Sequence, residues 1–353
     1  MNKIYLGSYL MSVFCVRIFR KNTQFSYVQR GKAEGMSKDI TQKRLEEYND
    51  VFVDIFNNII FSGKQVLEEE GLSKVPTESY VRGSDGKMHE NRRDIHKSYK
   101  GKNVYRLVCG IENQSQTDNT MPERVMGYEY AAYESQIQEI IDLNKKQKKP
   151  AFAKRIHGKQ KLMPVITGVL YFGNQKWDGP MCLHDMLQFP DEEEDIIKPL
   201  VANYPMNLIQ VSRLPAEVRG RLTSDFRLIA DYLSCRRSTK KLVKFMKDNK
   251  YVIKHPEAFL DLMSEISGDK KYKIIKENIL EEEREGITMC VIADKLVNQG
   301  IQQGIQQGVL ATLCFLVNTG VMKREDAART LKVSVEELDK ELQKCNVTFP
   351  YGA

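Results

Sequence analysis

The run Val165–Phe172, VITGVLYF, narrows the fold more than any other stretch. It has the length of a β-strand but not the polar alternation of a half-exposed one. A continuous apolar run of this kind suits a strand buried on both faces, so something must cover it on both sides. Suitable helices are present. Asp39–Ser62 carries Leu45, Tyr48, Phe52, Ile55, Phe56, Ile59 and Ile60 as a broad apolar face, and Thr223–Cys235 turns Phe226, Ile229, Ala230 and Leu233 inward. Further strands are read at Thr77–Arg82, Glu90–Tyr99, Tyr105–Gln114 and Met206–Leu214. Strands and helices intermix up to this point, which predicts an α/β sandwich with a mixed central sheet flanked by helices. From Ser238 on there is no strand pattern. Helices are expected at Lys240–Lys247, Pro256–Ile266 and Glu277–Val297, giving an all-helical C-terminal region.

The strand Tyr105–Gln114 holds the most informative polar residues. Leu107, Cys109 and Ile111 alternate with Arg106, Val108 and Gly110, and the strand then delivers Glu112 and Gln114. Residues two apart on a strand share a face. A carboxylate followed by a polar tip is how metal-dependent nucleases present a metal ligand and a water-orienting group. So short a pattern equally fits a strand end entering a polar loop. The upstream run places Asp94, His96 and Ser98 on one face, with Lys100–Asn103 as the connector. A three-residue loop, Gly101–Asn103, puts Asp94 on the face of Glu112; a loop of even length puts it on the other. Downstream, Thr120–Gln136 reads as a helix on which Arg124 and Tyr128 share a face.

Taken together, Asp94, Glu112, Gln114, Ser115, Asp118, Met121, Arg124 and Tyr128 resemble the signature of the Rpn family of recombination-promoting nucleases, also labelled putative transposases, in the PD-(D/E)xK superfamily. Tyr48–Lys64, Pro164–Leu187, Ser224–Leu233 and Gly300–Gly308 are similar to further stretches of that family. The resemblance implies a restriction-endonuclease-like fold and a metal-dependent DNA endonuclease. Asp94, Glu112 and Gln114 would be catalytic. Asp94, Glu112 and the backbone carbonyl of Asn113 would hold Mg²⁺ or Mn²⁺ through hard oxygens. Arg124 would neutralise the scissile phosphate, and Tyr128 would hold a phosphate or pack beneath Arg124. Two positions depart from the pattern. Gln114 stands where most of the superfamily has a lysine, and Asn49 where much of the family has an acid on the first helix. Asp50 and Asp54 are nearby substitutes, and Asp54 is the expected third ligand. A catalytically decayed relative that binds nucleic acid or protein is the rival reading.

Elsewhere the signals are broader. The 353 residues are 41 % apolar and 29 % charged, as in an ordinary globular protein, and the net charge of +7 is compatible with nucleic acid. In 144–161, seven lysines and one arginine occur without an acid; Lys145, Lys146, Lys148, Lys149, Lys154 and Arg155 form either a phosphate-contacting stretch or a solvated loop. Seven cysteines without a CxxC pair fit a reducing cytoplasm, with Cys109, Cys182 and Cys314 read as buried thiols. No zinc-site spacing is present. Trp177 is read as a packing residue. Ile4–Val16 is apolar but too short for a normal membrane span. Met36 is taken as the true start and 1–35 as over-extended, with a membrane anchor as the alternative. The nuclease-like domain is expected over 36–237 and a helical region over 238–299. GIQQGIQQG, 300–308, is either a helix-pairing stripe of a homodimer or a linker. The tail, 309–353, resembles a small helix-turn-helix in which Ser334 and Glu337 form a capping box. The acidity of its second helix favours packing over DNA reading. The expected partners are DNA and a second copy, with no membrane.

Overall fold

Each face of the central strands finds the cover that their apolar pattern demands. The computed structural model describes residues 45–75, 78–82, 88–92, 94–101, 106–147, 156, 160–279 and 286–344, with 78–82, 88–92 and 341–344 described as backbone. Residues 1–44, Lys148, Lys149, Lys154 and Arg155 lie outside these. The strands are β1 Leu72–Lys74, β2 Glu78–Arg82, β3 Met88–Arg92, β4 Ile95–Lys100, β5 Arg106–Gln114, β6 Val165–Tyr171 and β7 Asn207–Gln210. Five of them form one sheet in the order β1-β4-β5-β6-β7, and β2 pairs with β3 separately. The β1–β4 and β4–β5 pairs are antiparallel, whereas β5–β6 and β6–β7 are parallel. This is the expected mixed α/β sheet.

Helix α1, Asn49–Ile55, continues as a π-helical turn, Phe56–Ile60. Its Val51, Phe52, Ile55 and Phe56 are fully buried, each worth roughly 1.5–3 kcal/mol of apolar transfer. The helix ends where Ser62 (φ 56°) and Gly63 (φ 93°) turn left-handed. Asn57 then ties down the departing chain, accepting from Val66 N (3.0 Å) and Leu67 N (2.9 Å) and donating to Leu67 O (2.9 Å). Gly168 of β6 lets α1 approach closely: a Cβ there would lie 2.7 Å from Ile60 Cδ1. Helix α2, Met121–Lys146, covers the opposite face. Its Met121, Val125 and Tyr128 pack with Val169, Tyr171, Trp177 and Met206, and its Ala132 with Val108 and Val165. Trp177 is a packing residue, as expected. Its indole donates to Gly179 O at 3.0 Å.

Several expectations need revision. Glu90–Tyr99 is not one strand but two, β3 and β4, with Asp94 at the break. Met206–Leu214 forms only the short β7 and then a 3₁₀ turn, Val211–Arg213. Tyr48 is not part of the core. It is 38 % exposed and stacks on His255, centroids 3.6 Å apart. Cys182 is half-exposed, although Cys109 and Cys314 are buried thiols as predicted. The edge strand β1 gave no alternating signal over its three residues.

Lys97 was unforeseen. It is 1 % exposed, donating to Glu47 O (2.7 Å) and Asn49 Oδ1 (2.8 Å), with its ammonium 4.6 Å from the Phe52 ring centroid. Burial first, and the charge of Lys74 second, lower its pKa from 10.5 to about 8. The unfolded chain therefore binds more protons than the folded one between these values. Stability should rise with pH across that window, the contribution being complete above 10.5 and lost as pH falls through about 8. The effect is at most roughly 3 kcal/mol. Urea unfolding of wild type and Lys97→Met from about pH 7.5 to about 10 should show a flatter pH dependence in the variant; identical profiles would contradict this.

Beyond the sheet come α3 Ala216–Arg221, α4 Phe226–Cys235, α5 Thr239–Asp248, α6 Pro256–Ser267 and α7 Lys271–Asn278. Phe226, Ile229, Ala230 and Leu233 of α4 are buried as predicted. The single helix expected over Glu277–Val297 is absent: α7 ends at Asn278 and α8, Met289–Asn318, begins separately. The chain divides into two compact units between Met289 and Cys290. In the second unit, α8 is followed by α9 Arg324–Leu331 and α10 Val335–Lys344, and Leu313, Ala327, Ala328 and Leu338 form its small core. The capping box is present: Glu337 N donates to Ser334 Oγ (3.1 Å) and Ser334 N to Glu337 Oε2 (3.0 Å). The tract 300–308 is helical, with Ile301 and Ile305 41 % and 55 % exposed. Among the described residues no helix is long and apolar enough to cross a membrane.

Candidate active site

Strand β5 is buried from Leu107 to Asn113 and emerges only at Gln114, so Glu112 is delivered in a nearly water-free setting. Alternation turns Glu112 and Gln114 toward α2 and Asn113 toward α1. Gln114 Nε2 lies 3.3 Å from Glu112 Oε1, as expected for two side chains on one face. In the β4–β5 register Ile95 faces Ile111, so Asp94 stands opposite Glu112, one step past the last pair. The strand ends are separated by five residues rather than three, an odd number, which decides between the two alternatives and puts Asp94 on the face of Glu112.

The chain after β5 turns through Ser115–Thr120 and enters α2. Asp118 organises that entry. Its Oδ1 accepts from Thr120 N (2.8 Å) and Thr120 Oγ1 (2.7 Å), and its Oδ2 from Arg124 (2.7 Å). Pro122 in the first turn fits the helix start. Burial alone would raise the Asp118 carboxyl, but the Thr120 hydrogen bonds and the Arg124 cation hold it below its ordinary range. One turn further, Arg124 forms a short ion pair with Glu112 and lies 2.8 Å from the Tyr128 hydroxyl, which is 3.2 Å from Glu112 Oε1. Burial works against the Arg124 cation, yet Glu112 outweighs it and raises its pKa. Burial, then the Glu112 charge, raises the Tyr128 phenol, which stays a neutral donor. Arg124, Tyr128 and Gln114 thus converge on one oxygen of Glu112.

Asn113 N donates to Asp94 Oδ2 at 2.7 Å. The opposite face of the strand end is also polar: Asn113 Nδ2 donates to Glu46 Oε2 at 2.8 Å. Glu46 is fully buried. Asn113 Oδ1 is buried and receives no hydrogen bond among the described residues. Glu46 is the acid from the first helical segment that sequence reasoning missed. Counting three back from Phe52 leads to Asn49, whereas the acid that reaches β5 sits one turn earlier. Its neighbour Leu45, buried on the same turn, was the available signal.

The structure does not bring Asp54 to this place. Its carboxylate accepts from Thr223 N (3.0 Å), Ser224 N (2.9 Å), Ser224 Oγ (2.6 Å) and Asn58 Nδ2 (2.7 Å), anchoring the chain that enters α4. Lys145 and Lys146 lie at the exposed end of α2, Lys145 paired with Asp142 at 3.2 Å. At 1.5 Å per residue they stand roughly 30 Å along the helix from Arg124. Among the described residues, no three His, Cys, Asp or Glu side chains form a ready metal cradle.

Residues 94–247 match a family model described as "Putative transposase, YhgA-like". Searches of curated proteins and of solved structures return no match.

Proposed function

We propose that this chain, whose residues 94–247 match the YhgA-like putative transposase family model, is a transposase-like protein whose chemistry is metal-dependent endonucleolytic cleavage of DNA. One observation carries the reading. A buried carboxylate, Glu112, ends a central strand with Asp94 in register beside it, and Arg124, Tyr128 and Gln114 are gathered around it. The donor chemistry fits a hard divalent cation such as Mg²⁺ or Mn²⁺. Asp94 and Glu112 offer carboxylate oxygens at adjoining strand ends. Asp94, Glu112 and the Asn113 backbone carbonyl are the proposed ligands. Glu46 takes the place earlier given to Asp54, acting through Asn113.

When bound, the cation would supply Lewis acidity and a water of lowered pKa. The chain's own residues do the rest. Arg124, held by Asp118 and Tyr128, is positioned to pass from Glu112 to a scissile phosphate, a bidentate partner for its planar fork. Gln114 carries no charge and orients water by hydrogen bonding. A second copy, pairing through the exposed Ile301 and Ile305 face of α8, is proposed as the oligomeric partner.

The test is nicking of supercoiled plasmid by the full chain in Mg²⁺, in Mn²⁺ and in EDTA, with Asp94→Asn alongside. Wild type should nick only with metal, and the variant should be slower by at least about tenfold, as for loss of a group that orders a metal. Equal nicking by both proteins, or nicking in EDTA, contradicts the reading. The binding-only relative is favoured by one feature: Arg124 already neutralises Glu112. Metal-independent DNA binding without any cleavage would select it.

A further inference from the structure

A second cationic feature lies within the described residues, on α5. From Arg236 to Lys254 the chain carries eight cations and one acid, Asp248, a net charge of +7 that equals that of the whole protein. Outside this segment the acids and bases balance. On α5, Lys240, Lys244 and Lys247 lie at i, i+4 and i+7, a single stripe, and Arg237 and Lys241 flank it. All five are exposed. Among the described residues none of them, nor Lys250, lies in an ion pair. That contrasts with α7, whose Lys273 and Lys276 pair with Glu265 (3.0 Å) and Asp261 (2.6 Å) of α6. Unpaired lysines are therefore not the rule in this unit.

The rest of α5 explains why the stripe is fixed. Ser238 caps the helix through Lys241 N (3.5 Å). Met246 is 4 % exposed, and Leu242, Val243 and Phe245 are half-buried as α5 packs on α4. The apolar side is used by the fold, so the helix has no hydrophobic face left to insert into a bilayer, as interfacial helices do. What remains is an ordered row of fixed positive charge.

We propose that the exposed face of α5 binds the phosphate backbone of duplex DNA. Lys240 to Lys247 covers about 10 Å of helix axis, and a duplex presents one charge per about 1.7 Å. The stripe therefore meets several phosphates at once. Lysines on phosphates position a duplex without reading its sequence. The proposal rests on the nucleic-acid part of the function proposed above, not on cleavage.

Fluorescence anisotropy of a labelled duplex of about 20 base pairs, titrated with the full chain in EDTA across a KCl series, tests it. Removing three phosphate contacts should make the slope of log K against log salt shallower by about 2.7. The combined Lys240→Ala, Lys244→Ala, Lys247→Ala variant should show that change and bind at least about tenfold more weakly at low salt. The matching triple arginine variant should restore both. An unchanged slope in the alanine variant, or no duplex binding by wild type, would each overturn the proposal. Metal-dependent nicking by wild type with an unchanged slope in the alanine variant discards this surface and leaves the nuclease standing. A reduced slope without any nicking does the reverse.

Discussion

Glu112→Gln is expected to lower metal-dependent cleavage by about 100- to 1,000-fold, the range seen when one preorganised electrostatic group is lost, while the protein stays folded. The substitution keeps size and shape at a side chain that is 3 % exposed. It removes the negative charge that would hold a cation and leaves Asp118 as the remaining carboxylate paired with Arg124. It also replaces one oxygen with an amide that can only donate, facing the Arg124 and Tyr128 donors already directed at Glu112. Arg124 is about one-third exposed and keeps Asp118 as a partner at 2.7 Å, so the stability cost is modest, about 1–2 kcal/mol. Single-turnover cleavage of labelled duplex, with thermal melts as the folding control, measures both. Cleavage within threefold of wild type (~0.7 kcal/mol of barrier) in a folded variant would remove Glu112 from the chemistry.

The second large effect concerns stability. Asp54→Ala should destabilise the first unit by roughly 2–4 kcal/mol, the cost of stranding buried donors. Asp54 is 4 % exposed, and its two oxygens collect Thr223 N, Ser224 N, Ser224 Oγ and Asn58 Nδ2. Ser224 is itself 1 % exposed, so water cannot easily replace the lost acceptor. Asp54→Asn, which retains one oxygen, should lose about half as much. Urea midpoints would show both shifts. Were Asp54 a metal ligand instead, its loss would weaken the metal dependence of cleavage and leave the midpoint in place.

Much of this was legible in the residues because the signals are local. Val165–Phe172 announces a doubly covered strand, and β6 lies between β5 and β7 with a helix on either side. The period of two put Glu112 and Gln114 on one face, and the four-residue spacing put Arg124 and Tyr128 on one face of α2; that both reach Glu112 was not read from the sequence. What escaped notice depends on contacts between distant segments. Nothing near Asp54 shows that its partners lie at Thr223 and Ser224, and nothing near Lys97 shows that Glu47 and Asn49 will accept its hydrogens. Glu46 was missed because position was counted along a helix that breaks at Glu47 and Tyr48 before α1 begins. Three-residue β1 is too short for its pairing with β4 to be read from pattern.

The two sides of the β5 end differ in how far along the chain their partners lie. Arg124 and Tyr128 are 12 and 16 residues from Glu112, whereas Glu46 is 67 residues from Asn113. Contacts of short sequence separation close cheaply, and long ones must first overcome the entropy of a large loop. The Glu112 side can therefore assemble from a single strand-turn-helix segment. The Asn113 side is complete only after the first helix docks, so an opening confined to that helix would release Glu46 and leave the Arg124–Glu112 pair intact.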